Sequence, residues 1–359
     1  MKRYASYIWP VVMIICIEVC KRFPGFIEHY YAQGIYKPIG AAMRFIFGWI
    51  PFSVGDLLVA MLILWILSRI LIIVRLLIKR ENVKPILKRS GLVLIRLSLW
   101  MYIGFYLLWG LNYYRLGSSY LLGMLPEPYS TQETEKLVQN IVGKIEALSA
   151  DSIAIDAGKT NDRKLLGLQA RQAFKVAEKQ YPFMQVKGES LKPNLLGPLQ
   201  SYTGYGGYLF PLTGEAHANF YSPSFALPFT VCHEMAHQAG FGTESEANLI
   251  GFLAAKASNN RAFQYSAYAG IFQYAIAELY NRDSALARSF IDSLPPYYKR
   301  DRAEMRRFIE THENPIQPLL NGMYNLYLLS NNQPEGIDSY NYVVAWLIAF
   351  GKKYGWDKI

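Results

Sequence analysis

A mainly α-helical fold is predicted: three transmembrane helices at the N-terminal end, then a mostly helical α+β soluble domain with a small strand element. Three observations lead to it. In a chain of 359 residues that is 52% hydrophobic and 15% aromatic, the long apolar runs lie before residue 112. Basic residues cluster in the short segments between those runs. Beyond residue 112 the hydrophobic spacing is mostly helical, broken by one Gly/Pro/Thr-rich stretch of strand character. The expected division is a membrane region over residues 1–111 and an outward-facing domain over residues 112–359.

The first span, about residues 4–20, contains IWPVVMIICIEVC from Ile8 to Cys20 and carries Glu18. A charged start before a short apolar core has the outline of a signal peptide, but no small-x-small cleavage pattern follows, so an uncleaved span is expected. The second span, residues 54–76, belongs to VGDLLVAMLILWILSRILIIVRLLI, long enough for the roughly 30 Å hydrocarbon layer, with Arg69 and Arg75 placed to snorkel. The third, residues 92–111, carries Trp100, Tyr102 and Trp109, with Tyr113 and Tyr114 extending an interfacial belt. Lys79, Arg80, Lys84, Lys88 and Arg89 against the single acid Glu81 make the loop between spans two and three cytoplasmic. The N-terminus is then cytoplasmic, and the domain after the third span is periplasmic or extracellular: a multi-pass cell (inner) membrane protein. Residues 21–53, rich in aromatics, Gly and Pro, read as an external piece on the membrane surface or against the soluble domain.

The net charge of +10 owes much to the segments that orient the spans, and no basic stripe with interleaved aromatics follows residue 112. The expected partner is therefore the lipid bilayer and not nucleic acid. Three cysteines, Cys16, Cys20 and Cys232, make no disulfide framework, and Cys232 reads as a small buried residue.

Past a linker over residues 116–130, Ser130 and Glu133 form a capping box for a helix from Thr131 to Leu148. A second helix covers Leu165 to Gln180, and the polar stretch between Asp151 and Arg163 reads as loop. Residues 201–224, SYTGYGGYLFPLTGEAHANFYSPS, read as one or two short strands. In EAHANFY, Ala216, Ala218 and Phe220 share one face and His217, Asn219 and Tyr221 the other.

The stretch LPFTVCHEMAHQAGFGTESEANLIGFLAA, Leu227 to Ala255, carries chemistry that folding alone does not explain. His233 and His237 are four apart, so a helix projects both imidazoles from one face, at the separation one tetrahedral Zn²⁺ requires. Glu234 beside them suits a general base toward metal-activated water. Only five histidines occur in the chain, and the flanks Phe229, Val231, Cys232, Met235 and Ala236 are apolar, so the polar trio is expected to be buried and to need partners. Gly240 and Gly242 permit a sharp turn after the helix. Thr243 then reads as the N-cap of a second helix, with Glu246 completing a capping box. That leaves Glu244 as the freer carboxylate for a third ligand and Glu246 as the alternative.

Beyond Ala255, helices are expected over residues 261–281, 284–293, 298–312, 321–329 and 340–354. VVAWLIAF is too short to span and reads as a core helix or one resting against the membrane. His312 reads as a helix-end histidine. Tyr324, Tyr327 and Tyr340 are candidate oxyanion donors among the 27 tyrosines of the chain.

HEMAH followed by Glu244-Ser-Glu-Ala-Asn248 resembles the gluzincin peptidases, whose second metal helix carries Glu-x-x-Ala-Asp or Glu-x-x-Ala-Asn with the first Glu as zinc ligand. That resemblance implies a zincin-like domain and selects Glu244. The spacing departs from the pattern, with only six residues between His237 and Glu244, and Thr243 stands where the metzincin-like HExxHxxG motif has its third histidine. The longer run from Gly207 to Ala255 resembles an uncharacterised family of bacterial membrane proteins, domain-of-unknown-function family 3810. Zincin-like folds place an edge strand before the metal helix to pair with extended substrate; if EAHANFY is that strand, Glu215, His217 or Asn219 lines the cleft. The expectation is a membrane-anchored, zinc-dependent metallopeptidase acting on a peptide or protein substrate, with Zn²⁺ on His233, His237 and Glu244 and with Glu234 as base. The alternative is a non-catalytic, membrane-tethered peptide-binding or sensor module that retains a zincin-like metal site.

Overall fold

The structure is a computed structural model that describes residues 2–188 and 190–359. It is mostly helical, with one small sheet. In chain order the N-terminal third holds α1 (Lys2–Cys20), α2 (Pro24–Phe26), a wider π turn over Ile27–Ile35, α3 (Tyr36–Gly48), α4 (Val54–Ile78) and α5 (Lys84–Leu108). After α6 (Gly117–Leu121) come α7 (Thr131–Ser149), α8 (Ser152–Gly158), α9 (Arg163–Glu178), β1 (Leu191–Pro193), β2 (Gly207–Phe210) and β3 (Glu215–Ala218). The remainder is α10 (Leu227–Gln238), α11 (Glu244–Ala257), α12 (Arg261–Arg282), α13 (Ser284–Ser293), α14 (Pro296–His312), α15 (Gln317–Ser330) and α16 (Val343–Tyr354).

Two of these helices, α4 and α5, are long and apolar enough to cross a membrane; the apolar part of α1, Ile8–Cys20, is shorter. The rest of the chain leaves nearly the whole of α4 uncovered. Ser53 caps α4 by accepting from the Asp56 N–H. The third apolar helix begins earlier than expected, at Lys84, and stops at Leu108; Gly110–Tyr114 form a 3₁₀ turn that carries the chain into the domain. Glu18 is paired with Lys21 at 2.6 Å and also takes the Tyr102 hydroxyl, which ties α1 to α5.

Residues 24–48 are helical and dock on the domain. Glu28, fully buried in the π turn, holds Arg115 in a two-pronged pair at 2.6 and 2.8 Å. Removing one partner of such a pair strands a buried charge, at a cost of about 3–5 kcal/mol.

The Ser130–Glu133 capping box forms as predicted, and α7 buries Leu137, Ile141, Ile145 and Leu148. The stretch expected to be loop between Asp151 and Arg163 contains α8, because Asp151 caps it through the Ala154 N–H and Ile155 is buried. VVAWLIAF is the buried heart of α16. His312 ends α14 and bonds the Phe308 carbonyl one turn back, a helix-end histidine as read.

The sheet corrects the reading of the strand stretch. Its order is β1-β3-β2, with β1 parallel and β2 antiparallel to β3. EAHA is therefore the central strand, buried on both faces; β1 and β2 are the edges, and the edge on the cavity side is Gly207–Phe210. Alternation within seven residues shows which side chains share a face, but not which strand is paired on both sides.

Candidate metal centre

Helix α10 is buried over almost its whole length, including His233, Glu234 and His237. After Gln238 the chain reverses at Gly240, whose φ of +91° lies in the left-handed region that a side chain disfavours. This brings α11 back across α10 with Glu244, Asn248 and Gly251 on the facing side. A Cβ at Gly251 would stand 2.8 Å from the backbone nitrogen of His233, so the glycine permits the close crossing that puts Glu244 beside the histidines.

His233 Nε2 lies 3.2 Å and His237 Nε2 3.4 Å from Glu244 Oε2. Ligand atoms of the three residues fall within 4.8 Å of one another, and the buried group can hold a metal ion. The other ring nitrogens are engaged: His233 Nδ1 donates to Asn248 Oδ1 and His237 Nδ1 to the Phe241 carbonyl, each at 2.8 Å. These bonds turn the Nε2 atoms into the group, the arrangement expected of metal-binding histidines. Glu244 Oε1 accepts from the Tyr324 hydroxyl at 2.8 Å, and Tyr324 meets the Tyr340 hydroxyl at 3.1 Å. Burial and the nearby Glu244 charge hold both phenols well above the ordinary range, so they remain donors.

Burial raises the Glu234 carboxyl to about 7, against the lowering influence of His233 and His237. Its Oε2 is buried and has no hydrogen-bond partner. His237 is raised to about 9: burial opposes its charge, but Glu244 outweighs burial through charge and hydrogen bond. Glu244 is held far below the usual carboxylate range, since the two histidines overcome its burial.

A cavity of about 300 Å³ opens in front of the group, lined among others by Tyr205, Gly207, Tyr208, Leu209, Tyr113 and Tyr327. A second, of about 540 Å³, shares Tyr205, Gly207, His233, Glu234 and Tyr340 with it and extends along Asn248, Gly270 and Tyr274. Edge strand β2 forms one wall, with Gly207 so close that a Cβ there would stand 2.5 Å from Glu234 Oε1.

The structure brings together His233, Glu234, His237 and Glu244, together with Tyr324, Tyr327 and Tyr340. It places Glu246 elsewhere. The capping box does not form: Thr243 makes no side-chain cap, Gln333 Oε1 takes the Glu244 N–H at 3.0 Å, and Glu246 accepts from the Thr243 hydroxyl at 2.9 Å and from the Ser118 N–H. Local spacing could not show that a residue 89 positions away would cap the helix.

Glu215, His217 and Asn219 do not line the cleft. Glu215 accepts the Val54 and Gly55 N–H groups at the start of α4, His217 bonds Ser53 and stacks on Tyr208, and Asn219 donates to Ser201. Glu215 and His217, on the central strand, hold the sheet to the start of α4, and Asn219, just past that strand, holds the Gly197–Thr203 turn.

Sequence reasoning missed the support of α10. Trp109 donates to the His237 carbonyl at 2.9 Å, Tyr36 and Arg44 donate to the Gln238 carbonyl at 2.9 and 3.2 Å, and Arg115 donates to the Gly240 carbonyl at 2.9 Å. The C-terminal carbonyls of α10 are thus satisfied by residues that precede the domain or open it. Asn248 had a legible signal, one turn after Glu244 on the same helix face.

The chain belongs to a family of proteins of unknown function, DUF3810, whose model matches residues 31–348. No curated protein and no solved structure matches it.

Proposed function

We propose that this chain is a membrane-anchored, zinc-dependent metallopeptidase, with its spans anchoring an outward-facing catalytic domain. The observation that carries the reading is the buried, unpartnered Oε2 of Glu234 beside the His233–His237–Glu244 group, in a cleft walled by a free strand edge. The donor set fits zinc: two imidazole nitrogens oriented by Asn248 and Phe241, and one carboxylate. Bound zinc supplies Lewis acidity, which acidifies water and polarises a carbonyl.

The chain's own residues supply the rest. The free edge of β2 pairs with the backbone of an extended peptide and lays it across Glu234. Glu234 takes a proton from the attacking water and returns it to the nitrogen of the leaving amine. The Tyr324 hydroxyl holds Glu244, and Tyr340, turned from Tyr324, offers its hydroxyl to the charge that develops on the carbonyl oxygen. A closed structural site, as in a non-catalytic binding or sensor module, takes a fourth protein ligand; among the described residues the group has three, which favours an open position.

Purified protein should carry about one zinc per chain, and Glu234→Gln should abolish hydrolysis of a mixed quenched-peptide pool while retaining zinc and fold. Folded protein free of any transition metal would end the enzyme reading. For the orientation, a reporter fused after Ile359 should behave as exported; a cytoplasmic signal would reverse it.

A further inference from the structure

The mouth of the cleft has two lips, and both present apolar surface outward. One is α15, whose inner face puts Leu320, Tyr324 and Tyr327 on the cleft. Its outer face leaves Leu319, Met323 and Leu326 exposed at 64%, 61% and 67%, one above another at helical spacing. The whole helix, QPLLNGMYNLYLLS, contains no charged residue, whereas α14 just before it is densely charged. The other lip is the turn Gly197–Thr203, with Gln200 and Thr203 on the cleft and Leu196 and Leu199 exposed outside.

Both lips are fastened to the two membrane-length helices at the ends opposite the loop that joins them. Tyr106, near the end of α5, donates to Asn331 at 3.0 Å, and Phe105 meets Tyr327 edge-on at 6.3 Å. Asp56, in the first turn of α4, takes the Leu195 N–H at 2.8 Å and the Tyr208 hydroxyl at 2.6 Å. Trp49, 79% exposed, stands just before α4 at the same end. The apolar lips are therefore continuous with the apolar surfaces of α4 and α5 at the level where these helices meet the domain. An uncharged exposed stripe continuous with such helices is the form of an interfacial membrane surface.

We infer that the cleft mouth docks on the lipid bilayer, with α15 and the Gly197–Thr203 turn set into its interface. Resting on the peptidase reading, the substrate class is then a polypeptide tethered to the membrane and cut close to its anchor. A peptide entering between the lips passes from the bilayer surface to Glu234 without crossing bulk water.

The test uses the full chain in phosphatidylethanolamine–phosphatidylglycerol nanodiscs, with Cys16 and Cys20 replaced by Ser. Nitroxides are placed singly at Leu199→Cys, Leu319→Cys, Met323→Cys and Leu326→Cys. Ile153→Cys serves as control: Ile153 is equally apolar and 83% exposed, on α8, which packs against α7 and α12. The four lip labels should be relaxed by oxygen and shielded from a water-soluble nickel reagent, and the control should show the reverse. Nickel access at the lips, or dipolar coupling between two copies of the chain there, overturns the inference.

A quenched peptide pool is then offered free or on a phospholipid anchor in the same disc. Wild-type protein should favour the anchored form by at least about tenfold, as tethering raises local concentration, and Leu319→Glu/Leu326→Glu should lose that preference while still cutting free peptide. Equal cleavage of both forms by wild-type protein overturns the substrate class. Lipid-shielded labels with neither peptide cut would uphold the docking and remove the peptidase reading, which keeps the two failures apart.

Discussion

Strip divalent metal from the purified protein, raise the pH from about 6 to about 9.5, and stability should fall, because His237 and Glu244 then lose the proton they share. In the folded chain the His237 pKa stands at about 9 against the ordinary 6.5, since Glu244 outweighs the opposing effect of burial. Below 6.5 both folded and unfolded chains hold the proton, and the attraction contributes in full. Between 6.5 and about 9 only the folded chain holds it, so each rise in pH favours unfolding. At 1.36 kcal/mol for each pH unit, the gap sets a ceiling of about 3 kcal/mol on the His237 share of the loss. Glu234 acts in the same direction but earlier: its carboxyl is raised from 4.5 to about 7 by burial, so its contribution is lost between those values. Glu244, with a depressed pKa, contributes above 4.5 and loses that contribution only in acid, outside this window. For a domain of this size, about 3 kcal/mol is a fall of about 6–12 °C in Tm. Thermal melts by circular dichroism should show it in chelated protein, and His237→Gln should flatten it. Zinc binds neutral imidazole, so the loaded protein should hold or gain stability over the same range. A parallel decline in both preparations, or none in the chelated one, would refute the shared-proton account.

Three further outcomes follow from the site. Glu244→Gln should weaken zinc retention under a competing chelator by more than the roughly 10–100-fold typical of an outer-shell loss, while Glu246→Gln should keep zinc and lose about 1–3 kcal/mol through its bonds to Thr243 and Ser118; the reverse pattern would make Glu246 the ligand. Asn248→Ala frees the His233 ring and should lower zinc affinity by about 10–100-fold with the fold intact by circular dichroism; unchanged affinity would deny Asn248 its orienting role. Gly207→Ala puts a Cβ 2.5 Å from both Glu234 Oε1 and the His217 carbonyl, so turnover should collapse with zinc retained, at about 1–3 kcal/mol of strain; an active Gly207→Ala protein would place β2 farther from the base.

The sequence by itself determined what local periodicity and chemistry encode. Four-residue spacing put His233 and His237 on one helix face, and the fold-back at Gly240 made Glu244 reachable. Apolar length identified α4 and α5, and the Ser130–Glu133 pair marked the start of α7. Tertiary structure decided whatever depends on partners far away in the chain. EAHA became a central strand because Leu191–Pro193, too short to show alternation, pairs along its other side. Glu246 left its expected cap because Ser118 arrives from another element to donate to its carboxylate, while Gln333 takes the neighbouring Glu244 N–H. The carbonyls at and just past the end of α10 find Trp109, Tyr36, Arg44 and Arg115, residues 125 to 202 positions away. Hydrogen bonds across such separations leave no periodic trace, since each end only has to be polar, and polarity alone does not name its partner.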